Sequence, residues 1–214
     1  VDIPVVCDAD TGFGGAINVT RTVRMFEAAG VSAIHLEDQT FPKRCGLLAG
    51  KQVIPREAFA KVIDTALSAR RNEDFCIIAR SDAKVAEGVE GVIERLKLYA
   101  EHGAHAVMVG DFYTLEEFAR ISAAVPVPLI SVAADKDHFD LQPDYTIDEW
   151  RQVGVRMALY WHLPLFAALQ AVRDAVNVLK NDGSTEKLSD RIAGYKEYAE
   201  VTNLEEWMRL DENQ

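Results

Sequence analysis

Short apolar runs alternate along the chain with longer segments in which apolar residues recur at helical spacing. The runs are rich in β-branched residues and predict six strands, at residues 3–7, 33–36, 75–79, 106–109, 129–132 and 157–160. They look apolar on both faces, as parallel strands covered by helices are. The helical spacing predicts helices at residues 16–29, 55–70, 89–102, 115–123, 147–153, 165–180, 187–199 and 204–209.

This alternation predicts an α/β fold with a parallel sheet. Gly30 and Gly103 each follow a predicted helix and precede a strand, as in the short loops of repeated βα units. We count six units, whereas a closed (β/α)8 TIM-type barrel has eight. Because Val1 opens directly into a strand, we expect a barrel whose first two βα units are absent from this chain. A doubly wound open sheet is the alternative.

The predicted domains follow from the same pattern. We expect residues 1–163 to form barrel units three to eight, and residues 164–214 to form a C-terminal helical region. The long helix that opens this region suggests contacts between subunits.

The composition excludes several classes of function. With 34 acidic and 23 basic residues, the formal charge of −11 repels nucleic acids and anionic membrane surfaces. A small anionic substrate can still bind where local cations or a metal reverse the potential. The three cysteines show no paired spacing, and no apolar run approaches the roughly eighteen residues of a membrane span. We therefore expect a cytoplasmic protein.

Carboxylates follow the first two predicted strands. Asp8 and Asp10 come directly after the first strand, and Glu37 and Asp38 end the second. Because the carboxyl ends of barrel strands form the catalytic face, these side chains should converge there. Hard oxygen ligands suit Mg²⁺, which makes only one or two direct carboxylate contacts and keeps several waters. The alternative for Asp38 is ordinary capping of a helix N-terminus.

A long irregular segment, residues 39–53, follows the second strand and carries Lys43, Arg44, Cys45 and Gly46. Long loops in compact domains tend to be functional, and this one is expected to act as a lid. Two neighbouring cations favour the thiolate of Cys45, which makes it a usable proton donor and acceptor. The alternative is a buried cysteine without a chemical role.

Arg80 is the only strongly cationic side chain at the predicted strand ends. Its planar guanidinium matches a carboxylate with two hydrogen bonds, so it is a candidate for binding an acidic substrate. A structural ion pair with Glu37 or Asp8 is the equally open alternative.

Taken in order and with their spacing, these motifs resemble the isocitrate lyase and phosphoenolpyruvate mutase superfamily. The likeness covers nearly the whole chain. The loop sequence Lys43-Arg44-Cys45-Gly46 is most similar to the branch of 2-methylisocitrate lyase and dimethylmalate lyase. The two absent βα units would then be the first two of that fold.

The resemblance implies a Mg²⁺-dependent carbon–carbon lyase that acts on a small 2-hydroxy or 2-oxo di- or tricarboxylic acid through an enolate, with Mn²⁺ as a possible substitute. It implies that Asp8, Asp10 and Glu37 hold the metal, and that Arg80, Gly46 and Asp8 contact the substrate. Cys45 would be the proton donor, with Lys43 favouring its thiolate and Arg80 stabilising the enolate. A homotetramer that exchanges its terminal helix between subunits is also implied.

Three positions depart from the lyase pattern. Leu47 replaces a histidine of the loop, Gly110 replaces a glutamate at the end of the sixth barrel strand, and Val132 stands where an asparagine is usual. These changes favour a substrate whose second half is smaller or more apolar. They also keep alternatives open: an enzyme like oxaloacetate decarboxylase, a C–P mutase or hydrolase, or a catalytically impaired relative that only binds carboxylates.

Overall fold

The computed structural model describes residues 2–46 and 48–212. The strands of the described chain are β1 (Val6–Asp8), β2 (Ala33–Glu37), β3 (Cys76–Ser81), β4 (Ala106–Val109), β5 (Leu129–Val132) and β6 (Val155–Leu159). The helices that alternate with them are α1 (Ala16–Ala28), α2 (Arg56–Ala69), α3 (Lys84–Glu101), α4 (Leu115–Ala124) and α5 (Ile147–Gln152). After β6 come α6 (Leu163–Asp182), a 3₁₀ turn (Glu186–Leu188), α7 (Tyr195–Val201) and α8 (Leu204–Glu212).

All six strands are parallel, and each pairs with the next strand in the chain, in the order β1 to β6. A doubly wound sheet reverses its strand order at a switch point, so this alternative is wrong. The strands form a curled half-barrel, and the predicted α/β barrel architecture is confirmed. In the pairing register Asp8 lies opposite His35, and Glu37 lies opposite Arg80.

The sheet has two differently packed faces. Residues on the outer face, such as Ile34, Leu36 and Val107, belong to the main core that the helices cover. Residues on the inner face, such as Ile78 and Met108, form a second, smaller apolar cluster. Because side chains alternate between faces along a strand, His35 and Glu37 share the inner face with these residues. Burying each large aliphatic side chain contributes roughly 1.5–3 kcal/mol to folding.

Two predicted segments differ from the structure because of glycines. The predicted helix 89–102 begins earlier, at Lys84, but Gly88 interrupts it with a left-handed φ of 67°. The predicted helix 187–199 is wrong: a 3₁₀ turn ends at Leu188, and α7 begins only after Gly194. The carboxylate of Glu197 accepts a hydrogen bond from the N–H of Gly194 at 3.0 Å and so starts a new helix there.

The chain divides into two compact units, one ending at Trp161 and the other beginning at His162. The second unit contains α6, which ends at Gly183 in a left-handed conformation (φ 66°), as a glycine stop does. None of the residues of α6 is buried, although many of them are apolar. Within the described ranges, no helix is both long and apolar enough to cross a membrane.

Candidate active site

The predicted site residues converge at the carboxyl ends of the strands in the first unit. A cleft of about 550 Å³ opens there, and its lining includes five of them: Asp8, Lys43, Cys45, Gly46 and Arg80. The other two, Asp10 and Glu37, both contact the ammonium group of Lys43. The carboxylates, the guanidinium and the loop thiol therefore share one edge of the sheet.

The three carboxylates that were predicted to hold a metal surround Lys43. Its Nζ atom forms an ion pair with Asp10 and lies 3.7 Å from Oδ2 of Asp8 and 3.6 Å from Oε1 of Glu37. Burial works to lower the pKa of Lys43, but the hydrogen bond to Asp10 and the nearby carboxylates raise it above its ordinary value. Lys43 is therefore a fixed positive charge at the centre of the cluster.

Glu37 is the most unusual member of this cluster. Its side chain is fully buried, and neither carboxylate oxygen has a hydrogen-bond partner among the described residues. Burial raises the pKa of Glu37 to about 7, although the positive charge of Arg80 opposes the shift. A buried polar atom without a hydrogen bond costs stability, and here such atoms lie beside Lys43 and Arg80 of the cleft lining, which indicates a site for a ligand or a cation.

Asp8 has the opposite character. It is half-exposed, and its Oδ1 atom accepts a hydrogen bond from the N–H of Asp10 at 2.8 Å. Burial works to raise the pKa of Asp8, but His35, this hydrogen bond and the charges of Lys43 and Arg80 lower it below its ordinary value. The pocket thus places an ionised carboxylate beside one that is readily protonated.

Arg80 lies between two carboxylates on the inner face. Its Nη1 atom is 3.4 Å from Oε2 of Glu37, and its Nη2 atom donates to Oδ1 of Asp82 at 3.1 Å. The structural ion pair with Glu37 is therefore present. The side chain also lines the cleft, so the pair holds the guanidinium where an acidic ligand can meet it.

The loop between β2 and α2 is closed at its base by an antiparallel bridge between Gln39 and Val53. Above this base Cys45 is exposed and lines the cleft, so the alternative of a buried cysteine is wrong. Gly46 passes so close to the cleft floor that an added Cβ atom would lie 3.3 Å from the carbonyl oxygen of Gly110. Leu47, the first departure from the lyase pattern, lies outside the described residues.

Asp38 does not cap a helix, so that alternative is wrong too. It points to the outer face, where its carboxylate accepts hydrogen bonds from Ser81 Oγ at 2.8 Å and from Tyr99 at 2.9 Å. Arg95 of α3 lies 3.2 Å away and completes the pairing. Sequence reasoning missed Arg95 and Tyr99, although their spacing of four residues places them on one side of α3.

Two polar residues and part of the apolar wall of the cleft, including Phe112, were also missed. His35 precedes Glu37 by two positions, so strand alternation could have placed both on the inner face. Lys51 is nearly buried and pairs with Asp111, a residue that follows β4. The wall includes Phe112, Val132 and Trp161, whose Nε1 atom donates to the carbonyl oxygen of Ala133 at 3.2 Å.

A half-barrel with carboxylates, a guanidinium and a loop thiol at the carboxyl ends of its strands defines an enzyme of the β/α-barrel class. Residues 1–180 match the phosphoenolpyruvate phosphomutase family model. The chain belongs to this family, and the predicted superfamily is confirmed.

Two curated relatives and one solved structure show the extent of the likeness. The chain is 37% identical to 2-methylisocitrate lyase of Aeropyrum pernix, over 99% of its own length and 67% of that protein. It is 33% identical to 2,3-dimethylmalate lyase of Eubacterium barkeri, over 99% of its length and 72% of that protein. Phosphonopyruvate hydrolase, solved in complex with oxalate and Mg²⁺, is 32% identical with a TM-score of 0.83, over 100% of this chain and 73% of that one.

The chain thus spans about two thirds to three quarters of the length of these relatives. Both curated relatives are lyases by name, and the predicted enzyme class, a carbon–carbon lyase, is confirmed.

Proposed function

We propose that this protein is a Mg²⁺-dependent lyase that cleaves the bond between C2 and C3 of a small 2-hydroxy di- or tricarboxylic acid. The products are a 2-oxo acid and a second carboxylic acid, whose departing carbon is first stabilised by its own carboxylate as an enolate. One observation carries the proposal: the thiol-bearing loop and the guanidinium of Arg80 line the same cleft.

Arg80 binds a substrate carboxylate in this proposal. Its guanidinium is held in place by Glu37 and Asp82, so the Arg80 side chain loses little conformational entropy when the ligand binds. Gly46, which has no side chain, lets the loop backbone approach the same ligand, and Asp8 also lines the cleft.

Cys45 supplies the proton. As the C2–C3 bond breaks, C2 becomes a carbonyl and the proton of the 2-hydroxyl passes to a carboxylate of the cluster around Lys43. The electron pair of the broken bond remains on C3, and the thiol of Cys45 transfers a proton to that carbon and becomes a thiolate. Lys43, two residues away in the chain, lines the same cleft and contributes a positive charge to it. The loop also excludes water from the cleft, so that the reactive carbon is protonated at this step only.

Asp8, Asp10 and Glu37 would hold the metal. The buried oxygens of Glu37, which accept no hydrogen bond among the described residues and lie beside the cations of Lys43 and Arg80, are the observation that fits a cation. An all-carboxylate donor set suits Mg²⁺ or, as a substitute, Mn²⁺. In the described part of the chain no three His, Cys, Asp or Glu side chains are grouped as a complete ligand set, and the ammonium of Lys43 lies among these three carboxylates. Bound Mg²⁺ would act as a Lewis acid that stabilises developing negative charge.

The test is turnover by a Cys45→Ala variant, with Cys76→Ala as the matched control on the strand β3. Release of a 2-oxo acid is measured with 2-methylisocitrate and 2,3-dimethylmalate as substrates. We expect Cys45→Ala to lower kcat by about 10²–10⁴, the usual contribution of one acid–base group, while binding of oxalate with Mg²⁺ is unchanged. Full turnover by this variant would rule out the proposed role.

Decarboxylation of oxaloacetate or a similar 2-oxo diacid is a second candidate. Gly110 and Val132 both line the cleft and offer no polar side-chain partner to a distal carboxylate. A coupled assay of pyruvate release from a panel of 2-oxo diacids separates the two functions, because decarboxylation would not depend on Cys45.

The protein would act as a homo-oligomer, a tetramer, through the C-terminal region 164–214. The apolar residues Leu169, Val172, Val176 and Leu179 recur at helical spacing along α6 and are all exposed. An exposed apolar stripe of this kind marks an interaction surface. With a small carboxylic acid as substrate and an acidic exterior, we propose neither nucleic-acid nor membrane partners, and a cytoplasmic location.

A further inference from the structure

The side chain of Gln39 connects the loop between β2 and α2, which carries Cys45, to the edge of the sheet. It follows β2 by two residues, is 2% exposed and lies at the base of the loop. Its amide makes three hydrogen bonds: Oε1 accepts from the N–H of Arg44 at 3.0 Å, and Nε2 donates to the carbonyl oxygen of Arg44 at 3.1 Å and to Oδ2 of Asp82 at 3.2 Å. The oxygen and the nitrogen of the amide thus both form hydrogen bonds, the nitrogen with both of its hydrogens.

These hydrogen bonds connect the part of the loop that carries the Cys45 thiol to the guanidinium of Arg80. On one side, the peptide groups of Arg44 stand between Lys43 and Cys45, so their position sets the position of the thiol. On the other side, the second oxygen of Asp82 accepts from Nη2 of Arg80 at 3.1 Å. The amide of Gln39 and the carboxylate of Asp82 thus connect the backbone of Arg44 to the guanidinium through hydrogen bonds.

The base of the loop has other supports. The N–H of Thr40 donates to the carbonyl oxygen of Gln52 at 2.8 Å, and the N–H of Ile54 donates to that of Asp38 at 2.9 Å. Lys51 pairs with Asp111 beyond β4. Loss of the Gln39 side chain would therefore leave the base of the loop closed and Lys43 in its ion pairs, while removing the hydrogen bonds that fix the peptide groups of Arg44.

We propose that Gln39 is a positioning residue that fixes the Cys45 loop relative to Arg80. This inference rests on the proposed function, in which Cys45 and Arg80 act on one substrate. A thiol that must reach a carbon atom next to an Arg80-bound carboxylate needs a defined separation from that guanidinium, and a displacement of about 1 Å can cost two orders of magnitude in rate.

Limited trypsin digestion tests the proposal without any turnover. Trypsin cleaves after Lys43 and Arg44, and the peptide groups of Arg44 are the ones that Gln39 holds. The variants are Gln39→Met, which keeps the length but removes all three hydrogen bonds, and Gln39→Glu, which keeps the acceptor for Arg44. Gln52→Met is the matched control, since Gln52 is exposed and contributes only its backbone to the loop base.

We expect Gln39→Met to accelerate cleavage after Lys43 and Arg44 by roughly tenfold, as the loss of one or more net hydrogen bonds predicts. Oxalate with Mg²⁺ should protect the loop of the wild-type protein, and this protection should be reduced in both Gln39 variants but kept in Gln52→Met. Cleavage of Gln39→Met at the wild-type rate, with full oxalate protection, would overturn the proposal. Equal acceleration after Lys136, in the exposed loop between β5 and α5, would also overturn it, because the effect would then not be specific to the Cys45 loop.

The two proposals fail separately. If the enzyme cleaves no carbon–carbon bond but the Gln39 variants lose oxalate protection, the lyase function is wrong and the positioning role stands. If Cys45→Ala abolishes turnover but the Gln39 variants are digested like the control, the lyase function stands and the positioning role of Gln39 is wrong.

Discussion

A Cβ atom on Gly110 would lie 2.5 Å from the Nε atom of Arg80. The same atom would lie 2.2 Å from Oδ1 of Asp82, a distance that real side chains do not adopt. The guanidinium therefore occupies the space that any other residue at position 110 would fill. The glycine that departs from the lyase pattern thus helps to set where the guanidinium of Arg80 lies.

Gly110→Ala should consequently weaken carboxylate binding. The methyl group forces Arg80 or Asp82 to move, and both are buried, so the ion pair between them is disturbed. We expect the Kd for oxalate in the presence of Mg²⁺ to rise about ten- to hundredfold, the range for a lost charged hydrogen bond. Calorimetry measures this, with Gly15→Ala as the control because an added Cβ there meets nothing within 4 Å. An unchanged Kd would show that Arg80 is not the binding group.

Lys43→Met should tighten the binding of Mg²⁺ while turnover falls. The ammonium lies among Asp8, Asp10 and Glu37, so a divalent ion must compete with it for the same carboxylates. Its removal leaves a cluster of uncompensated charge, and we expect the Kd for Mg²⁺ to fall by about tenfold. Titration calorimetry compares this variant with Lys61→Met, an exposed lysine of α2. Weaker Mg²⁺ binding would mean that Lys43 does not compete with the ion.

Glu37→Gln should stabilise the metal-free protein, and more so at higher pH. The pKa of Glu37 is about 7 in the folded state and 4.5 ordinarily, so the folded protein binds more protons between these values. Its contribution to stability is therefore complete below pH 4.5 and is lost as the pH rises through 7. At 1.36 kcal/mol per pH unit, the variant should be more stable at pH 8 by up to roughly 3 kcal/mol.

Urea unfolding in the presence of a chelator, at pH 5 and pH 8, measures this difference. Glu101→Gln is the control, because Glu101 is exposed at the end of α3. A Glu37→Gln variant that is less stable than the wild type at pH 8 would contradict the prediction, since it would mean that the ion pairs of Glu37 outweigh its burial.

Arg95→Met should destabilise the fold strongly. Arg95 and Asp38 are both buried, and removal of the cation leaves the Asp38 carboxylate with hydrogen bonds but without its charge partner. Breaking such a pair costs about 3–5 kcal/mol. Thermal and urea unfolding test this against Arg120→Met, which breaks only a surface ion pair with Glu90 and should cost at most about 1 kcal/mol. Similar stability of the two variants would show that the buried pair contributes little.

The sequence allowed the strand ends and their chemistry to be predicted, because both follow from short-range rules. Apolar strands that alternate with helices predict that β2 and β3 are neighbours in a parallel sheet. Glu37 and Arg80 stand at the ends of these two strands and are therefore expected to lie close together. The register of β2 against β3 sets Glu37 opposite Arg80, and the structure confirms the parallel order on which this pairing depends.

The sequence did not allow us to predict contacts that depend on side-chain direction or on segments distant in the chain. Lys43 was expected beside the thiol of Cys45, yet its ammonium contacts three carboxylates of neighbouring strands. Asp38 was grouped with Glu37, but strand alternation turns it to the opposite face, towards α3. Gln39 stood in the same motif, and its three bonds depend on a loop whose path no periodicity describes.

Leu169→Glu tests the proposed self-association through α6. Leu169 is 53% exposed and belongs to the apolar stripe of this helix, where a carboxylate would have to be buried against a partner subunit. Burial of an unpaired charge costs far more than a single apolar contact contributes, so we expect the variant to shift from oligomer towards monomer. Light scattering at working concentration measures the change. Asn177→Glu adds the same charge to an exposed polar position of α6 and should leave the assembly intact. A wild-type protein that is already monomeric would show that the stripe does not join subunits, and loss of assembly in both variants would show that charge on α6, rather than the apolar stripe, controls association.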